Sequence, residues 1–201
     1  GSLNNSNIIE DQHKELISSS VLGLIFEKIN GYKDGSFYTP SYVTTFMSKN
    51  ILEKIVIDKF NEINGWNCQN LNDLYDKIQN RSEANDIINN LKICDPAVGS
   101  GHYLVSMLNE IIKLKSDLGI LEDKNGKKIR DYKILIENDD LAIKTIDNEY
   151  FTYKRPKTVS DNHIVQETIF LEKQKIIENC LFGVDINRNS VNICRLRLWI
   201  E

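Results

Sequence analysis

The chain has 201 residues, 41% of them hydrophobic, which is enough to bury a substantial core in one large or two small domains. No apolar run approaches the ~20 residues that a membrane-spanning helix needs, and no signal-peptide pattern opens the chain, so we expect a cytoplasmic protein. The formal net charge of −4 excludes a protein that binds nucleic acid through an overall positive surface.

The four cysteines carry no signature of a metal site or of a disulfide framework. Cys68, Cys94, Cys180 and Cys194 show no paired spacing, and three of them lie in apolar runs. We therefore expect buried, reduced thiols and no bound metal.

Residues 1–90 predict an N-terminal helical region. Apolar residues recur at three- and four-residue spacing from Ile17 to Ile29, which indicates an amphipathic helix ending near Asn30-Gly31, with a glycine-bearing loop after it. Two shorter helices are predicted around residues 71–78 and 84–91.

Between these lies the segment Phe37-Tyr38-Thr39-Pro40. Thr39 suits the N-cap of a helix and Pro40 suits its first position, and apolar residues from Val43 to Val56 continue the helical pattern. Taken by itself, the segment predicts only a helix start.

The most informative stretch runs from Leu91 to Leu104 and reads as strand, loop and helix. Leu91 to Cys94 suits a buried parallel strand, which Pro96 ends because proline has no backbone donor. Gly99 and Gly101 would bring bare backbone close to a ligand at the carboxyl end of that strand, where open α/β sheets bind their ligands. Apolar residues at helical spacing then continue to residue 118, and a glycine follows.

Two familiar nucleotide-binding patterns do not fit this loop. The dinucleotide fingerprint requires a third glycine where Leu104 stands, and a P-loop requires lysine where His102 follows Gly101. The loop instead has an acid at the strand end, Asp95, followed by Pro-Ala-x-Gly-Ser-Gly, which matches neither of these two patterns.

Residues 116–179 interrupt the short spacing expected between successive units of a doubly wound sheet, and we interpret them as an insertion. Three short β-leaning runs, at 132–137, 141–146 and 149–153, predict an antiparallel meander, and a helix is predicted from about 163 to 179. Lysines around the first turn are interspersed with acids, which favours a solvated loop over a DNA contact.

A third motif, Cys180-Leu181-Phe182-Gly183-Val184-Asp185-Ile186, is a hydrophobic run with an acid at its end. It predicts a second strand followed by a helix, and Asp185 or Asn187 could also cap that helix.

Together, these motifs closely resemble adenine-specific DNA methyltransferases that use S-adenosylmethionine, in the gamma-type order found in restriction-modification or phage-defence systems. The resemblance implies an α/β fold that is the start of a Rossmann-like sheet, with residues 91–201 forming a partial methyltransferase domain. It implies that the Phe-Tyr-Thr-Pro segment caps the methionine end of the cofactor, that Asp185 accepts hydrogen bonds from the ribose, and that Ile186 packs on the adenine. The implied cofactor-binding residues are Phe37, Tyr38, Thr39, Pro40, Asp95, Pro96, Ala97, Gly99, Ser100, Gly101, Asp185 and Ile186.

The resemblance also implies a catalytic Asn/Asp/Ser-Pro-Pro-aromatic motif, which this sequence lacks. Its three prolines, Pro40, Pro96 and Pro156, are not adjacent. We therefore expect the N-terminal part of a longer enzyme, which binds S-adenosylmethionine but transfers no methyl group by itself and contacts DNA mainly through regions outside this chain. Two alternatives remain at this point: a methyltransferase acting on protein, RNA or a small molecule, and a non-enzymatic interaction domain.

Overall fold

The computed structural model describes residues 18–34, 38–151 and 161–201. In chain order, the elements of these residues are α1 (Ser19–Asp34), α2 (Ser41–Asn64), α3 (Leu71–Lys77), α4 (Arg81–Asn89), β1 (Ile93–Asp95), α5 (His102–Asp117), β2 (Tyr132–Glu137), β3 (Asp140–Thr145), α6 (Asp161–Asn179), β4 (Leu181–Gly183) and α7 (Arg188–Ile200). The chain is thus a mixed α/β protein, and the helices predicted at 71–78, 84–91, 104–118 and 163–179 are confirmed to within a few residues. None of the described helices is long and apolar enough to cross a membrane.

Strands β1 and β4 pair in parallel, with Ile93 opposite Leu181 and Asp95 opposite Gly183. Helix α5 follows β1 and helix α7 follows β4, so the two strand-loop-helix units predicted from the sequence lie side by side. Neither strand has a second neighbour among the described residues. The predicted burial of the first strand is wrong at Cys94, which is exposed, because this face of the two-stranded sheet, shared with the exposed Phe182 opposite it, is open to solvent. Whether the sheet is Rossmann-like stays a prediction.

Helix α5 forms the centre of the core. Leu108 and Ile112 of this helix are fully buried, and α2 packs along it through Leu52 and Val56. The buried side of α2 repeats every four residues, as expected for a helix packed along one face: Thr44, Ser48, Leu52, Val56 and Phe60. Helices α2, α3 and α4 therefore share one apolar core with the sheet and its helices.

Helix α1 differs from its prediction in two ways. It continues through Asn30-Gly31 to Asp34, since a glycine inside a helix costs only about 1 kcal/mol and Gly31 keeps a negative φ. Its apolar face is also turned outward, with Leu24 58% exposed. The inward face is polar because it covers the Ser100 hydroxyl of the loop after β1 and the Arg197 guanidinium of α7.

Within the insertion, the first two runs of the predicted meander form an antiparallel hairpin. β2 and β3 pair antiparallel around a turn in which Asn138 and Asp139 both have positive φ, as a two-residue hairpin turn requires. The third predicted run, 149–153, pairs with β3 as far as it is described: Lys144 forms an antiparallel bridge with Tyr150, and the Phe151 N–H donates to the Ile143 carbonyl (2.8 Å). Residues 152–160 lie outside the described part. The hairpin tip is docked: Asp139 accepts a hydrogen bond from Thr45 of α2 (3.1 Å).

The predicted burial of the cysteines is confirmed at three of the four positions. Cys68, Cys180 and Cys194 are buried and Cys94 is exposed, and all four are free thiols. Burial raises the pKa of the Cys194 thiol to about 11, so this residue behaves as an uncharged packing group in the core beneath the loop after β1.

Candidate cofactor cleft

A cleft of about 460 Å³ opens where β1 and β4 end. Eight residues predicted for the cofactor site line it: Tyr38, Thr39, Asp95, Ala97, Gly99, Ser100, Asp185 and Ile186. Seven further lining residues were not predicted: Glu27, Thr44, Val98, His102, Tyr103, Asn187 and Ser190. Segments far apart in the sequence therefore converge at the carboxyl edge of the parallel pair, where α/β sheets bind ligands.

Asp185 holds the glycine loop against the end of β4. The backbone N–H of Gly99 donates to Asp185 Oδ2 (2.8 Å), and the N–H of Asn187 donates to Asp185 Oδ1 (2.7 Å). One residue earlier in both segments, the Val98 N–H donates to the Val184 carbonyl (2.8 Å). Each carboxylate oxygen of Asp185 retains a further lone pair, so the residue can position the loop and still accept a ligand hydroxyl.

Tyr38 lies directly over the glycine loop. A Cβ built on Gly99, whose φ is +52°, would lie 3.4 Å from Cε1 of the Tyr38 ring. The Tyr38 hydroxyl accepts a hydrogen bond from the side-chain amide of Asn30 (3.4 Å), which ties this ring to α1. The segment around residue 38 and the glycine loop, about sixty positions apart, thus form one wall; Phe37 itself lies outside the described residues.

The start of α2 corrects a prediction. Pro40 is the N-cap, with helical residues beginning at Ser41, so Thr39 is not the cap and its hydroxyl bonds no helix N–H. The Pro40 carbonyl accepts from the N–H groups of Val43 and Thr44, which leaves those of Ser41 and Tyr42 without a partner among the described residues. Free N–H groups at a helix start favour a ligand carboxylate.

Three predicted site residues do not line the cleft: Pro40, Pro96 and Gly101. Gly101 is the N-cap of α5, with φ +87°, and its missing side chain makes room for α7. A Cβ there would lie 2.6 Å from Cys194 Sγ and 3.1 Å from Cys194 Cβ. The glycine is therefore required by the packing of α7 on the loop, whereas Gly99 faces Tyr38 and the cleft.

A polar network below the loop connects α1, α5 and α7. Ser100 Oγ donates to Glu27 Oε1, and His102 Nε2 lies 3.1 Å from the same oxygen. Arg197, which is completely buried, donates from Nη1 to the Ser100 carbonyl (3.1 Å) and hydroxyl (3.2 Å). Its guanidinium fits because Gly23 on α1 has no side chain: a Cβ there would lie 2.4 Å from Arg197 Cζ. Ser100 thus fixes the position of the loop.

The network keeps Glu27 ionised. Burial raises the pKa of this carboxyl, but hydrogen bonds from His102 and Ser100 and the nearby Arg197 charge outweigh burial and lower the pKa overall. Glu27, Asp95 and Asp185 give the lining three carboxylates, against one imidazole and no lysine or arginine. The cleft therefore favours a cationic ligand and disfavours a phosphate-bearing one.

Sequence reasoning missed Glu27 because nothing in the sequence links a helix before the Tyr38 segment to the glycine loop. The sequence position of His102 and Tyr103 could have predicted their place in the cleft, because they occupy the first turn of the helix that follows the glycine loop. In the described ranges, no group of three or more His, Cys, Asp or Glu side chains is arranged to hold a metal ion.

The chain is similar to a protein of Methanocaldococcus jannaschii that is provisionally named a type II restriction enzyme and methyltransferase. The two are 30% identical over an alignment of 204 residues, which covers 92% of this chain and 14% of that protein. The chain thus spans about a seventh of the length of the curated relative that it matches. No protein-family model matches the chain, and no solved structure gives a significant match.

Proposed function

We propose that this chain is the cofactor-binding part of an adenine-specific DNA methyltransferase of a restriction-modification system, with S-adenosylmethionine as the methyl donor. Support for a methyltransferase in a restriction system comes from the similar protein, whose name combines both activities. That name specifies neither the target base nor the cofactor. The choice of adenine rests on the order of the three sequence motifs and on their resemblance to the gamma-type enzymes.

The observation that carries the choice of cofactor is the chemistry of the cleft. Three carboxylates line it without a lysine or arginine, and S-adenosylmethionine carries a sulfonium and an ammonium against a single carboxylate. A nucleotide such as ATP or NAD would bring phosphates to the same carboxylates. Gly99 lies at the floor of the cleft in a conformation with φ +52°, which a side chain would strain.

The residues present fit the parts of this cofactor. Asp185 has the spare acceptor capacity to bind the ribose hydroxyls, and Ile186, whose side chain is fully exposed, offers an apolar surface for the adenine. The N–H groups of Ser41 and Tyr42 at the start of α2, which have no partner among the described residues, suit the methionine carboxylate. When bound, the cofactor supplies an electrophilic methyl group.

The groups that would bind the methyl-accepting base are not among these residues. A methyl acceptor such as the exocyclic amine of a flipped-out adenine must be held in line with the methyl group, and alignment of this kind supplies a large part of the rate. The sequence contains no adjacent prolines and hence no Pro-Pro-aromatic motif to bind that amine. We infer that the chain positions the donor and that other parts of the enzyme position the base.

Calorimetry of this chain with S-adenosylmethionine, ATP and NAD tests the cofactor. We expect S-adenosylmethionine to bind and the two phosphate-bearing nucleotides not to bind; the reverse preference would refute the proposal. Labelled methyl transfer by the complete enzyme to adenine-containing DNA, with DNA lacking adenine as control, tests the substrate. Transfer by this chain alone would show that the Pro-Pro-aromatic motif is not required.

A further inference from the structure

Glu27 lies in the wall of the cleft with half of its carboxylate unused. Oε1 accepts from Ser100 and faces His102, whereas Oε2 has no hydrogen-bond partner among the described residues. The side chain is only 12% exposed, yet Oε2 is not among the atoms sealed from solvent. A residue that lines the cleft therefore has one carboxylate oxygen fixed by the protein and a second oxygen that is accessible and unpartnered among the described residues.

A purely structural role for this carboxylate would predict that both oxygens are bonded inside the protein. Glu172 on α6 shows that arrangement: its Oε2 accepts from the buried Lys115 and its Oε1 from Lys175 (2.8 Å). Glu27 instead places both contacts on one oxygen. Both oxygens of Glu172 are thus committed to lysines, whereas Glu27 Oε2 is open to solvent and is available to a ligand in the cleft.

The free oxygen specifies the chemistry of that ligand. A carboxylate oxygen accepts hydrogen bonds, so its best partner is a cation that carries N–H groups; an ammonium has three such donors and a sulfonium has none. Thr44 of α2 lines the same cleft, and the N–H groups of Ser41 and Tyr42, which have no partner among the described residues, lie one turn before it. A helix start that can accept an anion, flanked by the lining residues Thr39 and Thr44, and a carboxylate in the same lining are complementary to the two charges of an α-amino acid.

We propose that Glu27 binds the α-ammonium group of S-adenosylmethionine, and this inference rests on the proposed function. Ser100 and His102 are then positioning residues that hold the carboxylate, and α1 is part of the cofactor site. The outward apolar face of α1 is consistent with this role, since the helix turns its polar side toward the loop to deliver Glu27.

The test compares the wild type with Glu27→Gln, which keeps the shape and an acceptor oxygen but loses the charge. Three ligands are titrated by calorimetry: S-adenosylmethionine, S-adenosylhomocysteine and methylthioadenosine. Both amino-acid-bearing ligands should bind about ten-fold to a hundred-fold more weakly to the variant, the range expected for a hydrogen bond between charged groups. Methylthioadenosine, which lacks the amino acid, should bind both proteins equally.

Each other outcome overturns the inference for a different reason. Equal losses for all three ligands would show that Glu27 acts only through the loop, and a loss confined to S-adenosylmethionine would place it at the sulfonium. A wild type that binds none of the three would refute the proposed function itself. The matched control is Glu62→Gln on α2, an exposed carboxylate outside the cleft, which should leave all three affinities unchanged.

Discussion

The two glycines of the loop after β1 should respond differently to the same substitution, although they are two residues apart. In Gly101→Ala the new Cβ would lie 2.6 Å from Cys194 Sγ, and the residue would also have to adopt φ +87°. The left-handed conformation costs about 1–2 kcal/mol and overpacking of a core contact about 1–3 kcal/mol. We expect a total loss of about 2–5 kcal/mol, or about 4–20 °C in Tm for a chain of this size.

In Gly99→Ala the new Cβ would instead meet the Tyr38 ring at 3.4 Å, an ordinary van der Waals distance, at φ +52°. Only the conformational cost of about 1–2 kcal/mol applies to stability. The methyl group fills the gap between the loop and Tyr38, so we expect the affinity for S-adenosylmethionine to fall by about tenfold or more, which is about 1.4 kcal/mol.

Thermal unfolding and calorimetry of both variants, titrated well below their Tm, separate these effects. Cys194→Ala removes the Sγ that Gly101→Ala meets first, so the double variant should lose less stability than the sum of the two single losses. A Gly101→Ala protein as stable as the wild type, or additive losses in the double variant, would refute the packing argument. Greater destabilisation in Gly99→Ala than in Gly101→Ala would also refute the packing argument.

Three further substitutions test other contacts. Asp185→Ala removes the acceptor of the Gly99 N–H, and we expect a loss of about 1.5–3 kcal/mol in S-adenosylmethionine binding by calorimetry; unchanged affinity in a folded variant would exclude Asp185 from the site. Lys115→Met leaves the buried Glu172 without its main partner, so urea unfolding should show a loss of about 3 kcal/mol, and a loss near zero would mean that the pair contributes little. Burial raises the pKa of Glu27, but the combined effect of its hydrogen bonds is larger, so the pKa is lowered overall. The ionised Glu27 therefore stabilises the fold at neutral pH, and this stabilisation is lost as the pH falls below the ordinary value of 4.5. The difference in Tm between the wild type and Glu27→Gln should therefore shrink on acidification, and a constant difference would contradict this sign.

Local sequence patterns were sufficient to predict most of the helices and strands. Helices α3 to α6 follow from apolar spacing and their end signals, because a buried helical face leaves a periodic trace in the sequence whatever it packs against. The strands β1 and β4 and the hairpin of β2 and β3 follow from short apolar runs and turn residues in the same way. The predicted end of α1 at residue 31 was wrong, because glycine is a weak stop signal that tertiary contacts override. The third run of the meander pairs with β3 at Tyr150, and its last residues lie outside the described part.

The sequence by itself determined which chemistry is present: an acid at each of two strand ends, a glycine loop between strand and helix, and the Tyr38 segment. Only the tertiary structure decided what each residue does there. It placed Gly101 against Cys194 and Gly99 against Tyr38, used Asp185 to hold the loop, and brought Glu27 into the cleft from a helix whose apolar side faces outward. The physical reason is that strand and helix patterns depend on neighbours along the chain. The role of a side chain in a cleft depends on partners that lie tens of residues away, which no local periodicity records.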